Sequence, residues 1–367
     1  MFRKYRILKW VLLGLGTLIA ILVIFGFWFM SLLPPRALSL EQTKVQELTY
    51  VMDNVPENRG KVLAVVTSVD VMGKSGKRTG YELTELARAY YVFQANGYEV
   101  DIASPAGGEP PVVIDDEDMG PYDFAFLNDS IAQKKTSQTL SITDVSAANY
   151  EAIFFVGGKG AMFDFPDNKK IQAVVRKLYE SDKVIGAVCH GPAALVNVTL
   201  TDGTLLLDDK TVSGFTNDEE LLLIPEAESI FPFLLQDKMT AQGASFNKGA
   251  MYLEKVSHDK NLVTGQNPWS VWSVAELMIE QMGHVPKFRE ITGEENAVDI
   301  LNVYDKGGSQ PAKEMIAKLI QDSNKPVDRI LIAKHGIIAA MKGEIGKFFN
   351  MVGLVSFAKK VEGAPTE

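Results

Sequence analysis

The chain has a single cysteine, Cys189, so it cannot form an intrachain disulfide, and a disulfide-stapled scaffold is excluded. Histidine is nearly as scarce, with only His190, His258, His284 and His335. No two of them stand at a metal-ligand spacing, and there is no second cysteine to join them, so a Cys/His metal site is not expected. Basic residues are outnumbered 37 to 46 by acidic ones, for a net charge of −9, which argues against a nucleic-acid surface. Internal repeats are also lacking. What remains is an ordinary globular composition, 46% hydrophobic and 23% charged, over 367 residues, enough for one large domain plus extras.

Charge is absent from one further place. Trp10 to Leu33 carries no charged residue over 24 positions, long enough to cross a bilayer with some tilt. Arg3, Lys4, Arg6 and Lys9 precede it. The positive-inside rule sets that end in the cytoplasm and the rest of the chain outside it. A cleaved signal peptide is the competing reading, but its apolar region usually spans about 7–15 residues. Ala37 to Ser39 resembles a cleavage site, yet Pro34, Pro35 and Arg36 fit poorly before it. The expectation is an uncleaved single-pass anchor over 1–33, followed by a linker over 34–58.

From residue 59 the pattern changes. Lys61 to Val66, Glu99 to Ala103, Ala152 to Val156 and Val184 to Val188 are short apolar runs that read as buried strands. Between them, Thr79 to Phe93 reads as a helix with Leu83, Leu86, Tyr90 and Phe93 on one face, stopped by Gly97. Ile171 to Tyr179 reads as another. Alternating strands and helices imply a doubly wound, mainly parallel α/β sheet. Ligands bind such sheets at the carboxyl ends of their strands. The domain is expected to run over 59–283. Residues 284–367, rich in Lys, Glu and Ala, read as a helical extension. Its seam Ile338, Met341, Ile345, Phe348, Val352 and Val355 follows helical spacing, with Lys342, Lys347, Lys359 and Lys360 beside or after it. Packing against the α/β domain or a partner is the plainer reading of that seam; a membrane-lying helix is the other.

Ile185 to Leu195 reads as strand, sharp turn and helix, with Gly191 in the turn and Pro192 at a tolerated first helical position. Cys189 falls at the bend, where strained turns expose nucleophiles, and His190 follows directly. A helix N-terminus at this point is expected to lower the thiol's pKa. Two carboxylate clusters can partner them: Glu82 and Glu85 at the start of the first helix, and Asp218, Glu219 and Glu220 after Thr216 and Asn217. First-turn acids also suit a helix dipole without any catalytic role, so spacing alone selects neither cluster.

Several runs in order resemble the ThiJ/PfpI superfamily, whose fold is flavodoxin-like and related to glutamine amidotransferases. They are Thr79-Gly80 with Glu85, Val100 to Gly108, Phe154 to Gly158 with Gly160 and Phe163 to Pro166, Ala187 to Ala193, Val212 to Asn217 with Glu220, and Leu262 to Pro268. The set spans about residues 60–283 and is most similar to the glyoxalase III and heat-shock chaperone branch. The resemblance makes Cys189 the nucleophile, His190 its adjoining histidine, Glu220 the acid orienting that histidine, with Glu219 as fallback, and Glu85 the buried acid beside the cysteine. Gly158 and the amide after Cys189 become oxyanion contacts. Lys159 stands where this branch usually has a histidine, so Lys159, Gly158 and His190 are the expected substrate-binding set.

The activity implied is glutathione-independent conversion of methylglyoxal, a small reactive carbonyl, to D-lactate, with no cofactor and no metal. A homodimer is implied as a frequent state of the superfamily. Two other functions stay open: a non-enzymatic holdase, and cysteine amide hydrolysis or amidotransfer. The His-x-Glu run that amidotransferases use is missing after His258, His284 and His335.

Overall fold

The computed structural model describes residues 2–35, 38–115 and 118–363. Arg36 and Ala37, invoked above as flank and cleavage residue, and the last four positions lie outside them. The chain divides into two compact units, Ala37–Arg289 and the pair Met1–Arg36 with Glu290–Glu367. Its first element is a 31-residue helix, α1 (Phe2–Leu32), in which Leu8–Leu32 is long and apolar enough to cross a membrane.

The larger unit is built on a seven-stranded sheet. Its strands are β1 (Lys61–Val65), β2 (Glu99–Ser104), β3 (Leu140–Ser141), β4 (Ala152–Phe155), β5 (Val184–Val188), β6 (Val256–Asp259) and β7 (Leu262–Gly265). They lie in the order β6-β7-β5-β4-β1-β2-β3, parallel except for the antiparallel β6–β7 edge. Every residue of β4, β5 and β7 is buried, as the unbroken apolar runs require of strands covered on both faces. The chain winds outward from β1 through β2 to β3, then returns to the other side of β1 with β4. That reversal opens a crevice at the carboxyl ends of β1 and β4, where such sheets take ligands.

The helix expected over 79–93 begins later, as α2 (Leu83–Ala95). Gly80 explains the delay. A Cβ there would stand 2.3 Å from the Pro111 carbonyl oxygen, so the segment is held extended, and Tyr81–Glu82 pairs with Val112–Val113. Further helices of this unit include α3 (Lys169–Tyr179), α4 (Asn217–Leu223) and α5 (Val271–Gln281), the last packing on β5. Within 34–58, read as linker, Leu38–Gln42 and Val45–Glu47 form 3-10 turns and Thr49–Met52 a helical turn, with Leu48, Tyr50 and Val51 buried.

Helices α6 (Gly293–Gly307), α7 (Ser309–Ala317), α8 (Arg329–Met341) and α9 (Ile345–Glu362) form the C-terminal part of the second unit. The 338–355 seam does not continue through one helix. Gly343, at φ +75°, turns the chain back, so α8 and α9 pack as a hairpin. Val352 and Val355 are buried in it, whereas Met341 and Ile345 at the turn are exposed. The foot of α1 joins this unit. The Arg329 guanidinium donates to the Leu32 carbonyl at 2.5 Å, the Lys359 ammonium to that of Ser31 at 2.5 Å, and the rings of Phe25 and Phe348 lie 6.2 Å apart.

Candidate active site

Cys189 leaves the end of β5 with φ +60°, a left-handed conformation that a side chain adopts only under strain. The bend is held by main-chain bonds on both sides. The Cys189 amide donates to Gly265 at 3.0 Å, and the Phe215 amide donates to the Cys189 carbonyl at 2.8 Å. Two glycines let other backbone close in. A Cβ on Gly191 would stand 2.2 Å from the Phe155 carbonyl oxygen, and one on Gly157 would stand 2.7 Å from the cysteine's own Cβ.

That close packing corrects two expectations. Cys189 is only 5% exposed, because the Gly157 backbone lies against it. The segment after it is a five-residue 3-10 turn, Gly191–Leu195, and Val196 is already extended. So short a turn carries little macrodipole. Burial and the neighbouring Glu85 carboxyl push the Cys189 thiol well above its ordinary range; the Lys159 charge and the Gly158 amide act against them.

Glu85, in the first turn of α2, is fully buried. Its Oε2 accepts from the Gly157 amide at 2.6 Å, while Oε1 has no conventional hydrogen-bond partner, and the carboxyl interacts with the Cys189 thiol. Burial, reinforced by Glu82, holds this carboxyl well above the usual range. Two acids in contact in a dry pocket do not both ionise, so Glu85 and Cys189 carry at most one negative charge between them. Glu82, one helical turn earlier, is also drawn in. Burial raises it to about 8, with Lys159 opposing and Asp115 and Asp118 adding to the rise.

On the far side of the thiol, His190 Nδ1 lies 3.3 Å from Cys189 Sγ, and Nε2 lies 2.5 Å from Glu220 Oε2. Burial pushes the Glu220 carboxyl up, but contact with His190 and the charge of Lys159 more than offset it, leaving it below the usual range. An ionised Glu220 can only accept, so Nε2 carries hydrogen, and Nδ1 is the ring nitrogen that faces the thiol. Two rings neighbour the imidazole, Phe215 at 4.5 Å and Phe231 at 6.3 Å. Neither is distinguished in sequence by any chemistry-bearing pattern; only the Gly214–Phe215–Thr216 run points to the first.

Adjacent residues on α4 divide sharply. Glu219 Oε2 closes a capping box with Thr216, and its Oε1 accepts from the Tyr252 amide at 2.7 Å and the side-chain amides of Gln266 and Asn267 at 2.9 and 3.0 Å. Its oxygens are therefore committed to holding three loops together, and Glu220 alone reaches the histidine. His258, exposed, bonds the Lys260 carbonyl at 2.5 Å instead. Among the described residues, no three His, Cys, Asp or Glu side chains gather as a metal site.

An α/β sheet with a Glu–Cys–His–Glu line at a strained strand-to-turn bend defines a protein of the cysteine-elbow class. The chain belongs to the DJ-1/PfpI family, whose model matches residues 77–206. It is 31% identical over 235 residues to the glutathione-independent glyoxalase HSP31 of Saccharomyces cerevisiae, covering 60% of this chain and 98% of that one. It is 28% identical over 236 residues to glyoxalase 3 of Candida albicans, covering 60% and 97%. Among solved structures, the 24 kDa rapid encystment protein of Francisella tularensis aligns with a TM-score of 0.58 at 37% identity, covering 61% of this chain and 99% of that one. Glyoxalase III of Candida albicans aligns at 0.54 and 26% identity, covering 62% and 98%.

Proposed function

We propose that this chain is a membrane-anchored, glutathione-independent glyoxalase that hydrates and rearranges methylglyoxal to D-lactate. The observation that carries the reading is the unbroken line Glu85–Cys189–His190–Glu220, with the thiol in contact with a proton acceptor on one side and a largely neutral carboxyl on the other. Kinship with glutathione-independent glyoxalases at about 30% identity supports it.

As Sγ attacks the aldehyde carbon, His190 Nδ1 takes the thiol proton, and Glu220 stabilises the imidazolium through Nε2. The carbonyl oxygen becomes the hemithioacetal oxygen, protonated in turn and held by the Gly158 amide and the amide after Cys189. Removal of the hydrogen from the hemithioacetal carbon gives an enediol. Reprotonation at the neighbouring carbon gives a lactoyl thioester, and Glu85 and His190 are the groups that carry these protons. Water then cleaves the C–S bond, releasing lactate and the free thiol. The net reaction adds one water and uses no electron donor or acceptor.

Incubating the purified protein with methylglyoxal, without glutathione, and assaying D-lactate tests the reading, with Cys189→Ala as control. Lactate production that depends on Cys189 supports it; equal production in the control, or none in either, overturns it. We further propose that α1 spans a membrane with its basic start in the cytoplasm, so that the catalytic unit faces away from it.

A further inference from the structure

Phe25 stands seven residues before the end of α1, which places it about 10 Å inside the apolar span at 1.5 Å per residue. Phe348, near the start of α9, packs its ring on Phe25. The opposite ends of the hairpin meet the end of the span: Arg329 bonds the Leu32 carbonyl and Lys359 that of Ser31. Helix α8 therefore starts level with the span's end and runs down alongside it, and α9 climbs back. The turn between them lies at or below the depth of Phe25.

That turn is apolar on its outer face. Ile337 and Met341, one turn apart on α8, are 50% and 58% exposed; Ile345 and Phe349, one turn apart on α9, are 55% and 58% exposed. Phe348 and Phe349 add an edge-on aromatic pair at 5.1 Å. The charges nearby are paired, Lys342 with Glu344 at 3.0 Å and Lys347 with Asp305 at 2.7 Å. Lysines at such a site extend their heads toward water while their stems cover apolar surface.

We propose that the α8–α9 turn is a second membrane contact, in which Ile337, Met341, Ile345 and Phe349 enter the headgroup–acyl boundary of the leaflet at the C-terminal end of α1. Interfacial helices bury their apolar face about 5–10 Å deep, which agrees with the level of Phe25, and the charged pairs stop the turn from going deeper. This deepens the reading of α1 as a membrane span and rests on it; it is independent of the glyoxalase reading. It gives the C-terminal extension a task that the catalytic unit does not need: fixing the tilt and rotation of a single helix that would otherwise pivot freely.

The test uses the full chain in phosphatidylcholine–phosphatidylglycerol vesicles, on a Cys189→Ser background. A nitrobenzoxadiazole label is attached at Phe349→Cys, at Ile345→Cys, at Ile21→Cys within the span, and at Ser323→Cys before the hairpin. The labels at 349 and 345 are expected to lose most of their emission to lipid carrying a doxyl group at acyl carbon 5 and little to aqueous iodide. The label at 323 is expected to do the reverse. Iodide quenching at 349 and 345, with the 21 label still quenched by lipid, overturns this inference and leaves the span intact. Protection from both quenchers at 349 and 345 means a protein partner and overturns it equally. Iodide quenching at 21 overturns the span and this inference together.

Discussion

Glu220 and His190 are joined at 2.5 Å, Oε2 to Nε2, while the neighbouring Glu219 makes no bond to the histidine and instead binds three loops. In the proposed mechanism Glu220 supports the chemistry, while Glu219 supports the fold. Glu219→Gln is expected to lower the melting temperature, because it unbalances a buried cluster. Glu220→Gln is expected to leave stability nearly intact and to slow turnover less than Glu85→Gln does, because in the proposed mechanism it only orients His190.

The acid on the other side of the sulfur carries more. Glu85 is fully buried and interacts with the Cys189 thiol itself. Glu85→Gln is expected to lower kcat by about 10²–10⁴, the range for a positioned acid–base group. Cys189→Ser is expected to remove activity with the fold retained by circular dichroism. Steady-state kinetics of the variants decide the order. A larger loss at Glu220 than at Glu85 would exchange their roles.

The thiol's pH profile follows from its surroundings. Burial and Glu85 raise Cys189, and Lys159 lowers it. Iodoacetamide alkylation is therefore expected to reach half its maximal rate above the ordinary thiol value of about 8.5. Lys159→Met moves that midpoint higher, and Glu85→Gln moves it lower. Half-maximal labelling below pH 7 in the unmodified chain would mean a preformed thiolate, with no need for His190 to take the proton.

Glu82 predicts a pH-dependent stability. Its carboxyl rises from an ordinary 4.5 to about 8 in the fold. Below 4.5 it is neutral folded or unfolded. Between 4.5 and 8 the unfolded chain ionises while the native one does not, so the unfolded state binds fewer protons and stability falls as pH rises. Above 8 the loss is complete. Glu85, also raised by burial, acts in the same direction. Melting temperature is expected to drop between pH 5 and pH 8, and Glu82→Gln is expected to flatten that drop. An unchanged slope in Glu82→Gln would remove Glu82 as its source.

What could be read from residues alone was whatever a local pattern enforces. Apolar runs ending in Gly157-Gly158 or in Cys189 mark strands of a parallel sheet, because both faces must be covered. The bend at Cys189 is written in Gly191 and Pro192. The pairings that make the site are not local. Glu85 against Glu82 and Glu220 against Glu219 differ only in which way a first-turn side chain points, and that is fixed by the loops around Tyr252, Gln266 and Gly157. The depth of Cys189 was equally hidden, since it depends on the Gly157 backbone reaching across from another strand. The 3-10 turn after the elbow follows from Gly191 being pressed on Phe155, again a contact between strands.

The direction of α1 in the membrane is set by charge. Arg3, Lys4, Arg6 and Lys9 precede the span, and Arg36 follows it with Glu41 close behind. That excess at the start should keep the N-terminus in the cytoplasm. Protease added to intact cells, after opening any outer wall or membrane, is expected to degrade the catalytic unit while a cytoplasmic marker survives. Full protection of a chain that still sediments with membranes would mean the reverse orientation. The outcome bears on the substrate. Methylglyoxal arises in the cytoplasm, so a catalytic unit outside it meets only carbonyls that escape or form there. Lys159, a cation that acts on both Cys189 and Glu220, then favours aldehydes carrying a carboxylate. Turnover of 4,5-dioxopentanoate, an α-oxoaldehyde carrying a carboxylate, that falls in Lys159→Met more steeply than methylglyoxal turnover would identify that preference, and equal losses would exclude it.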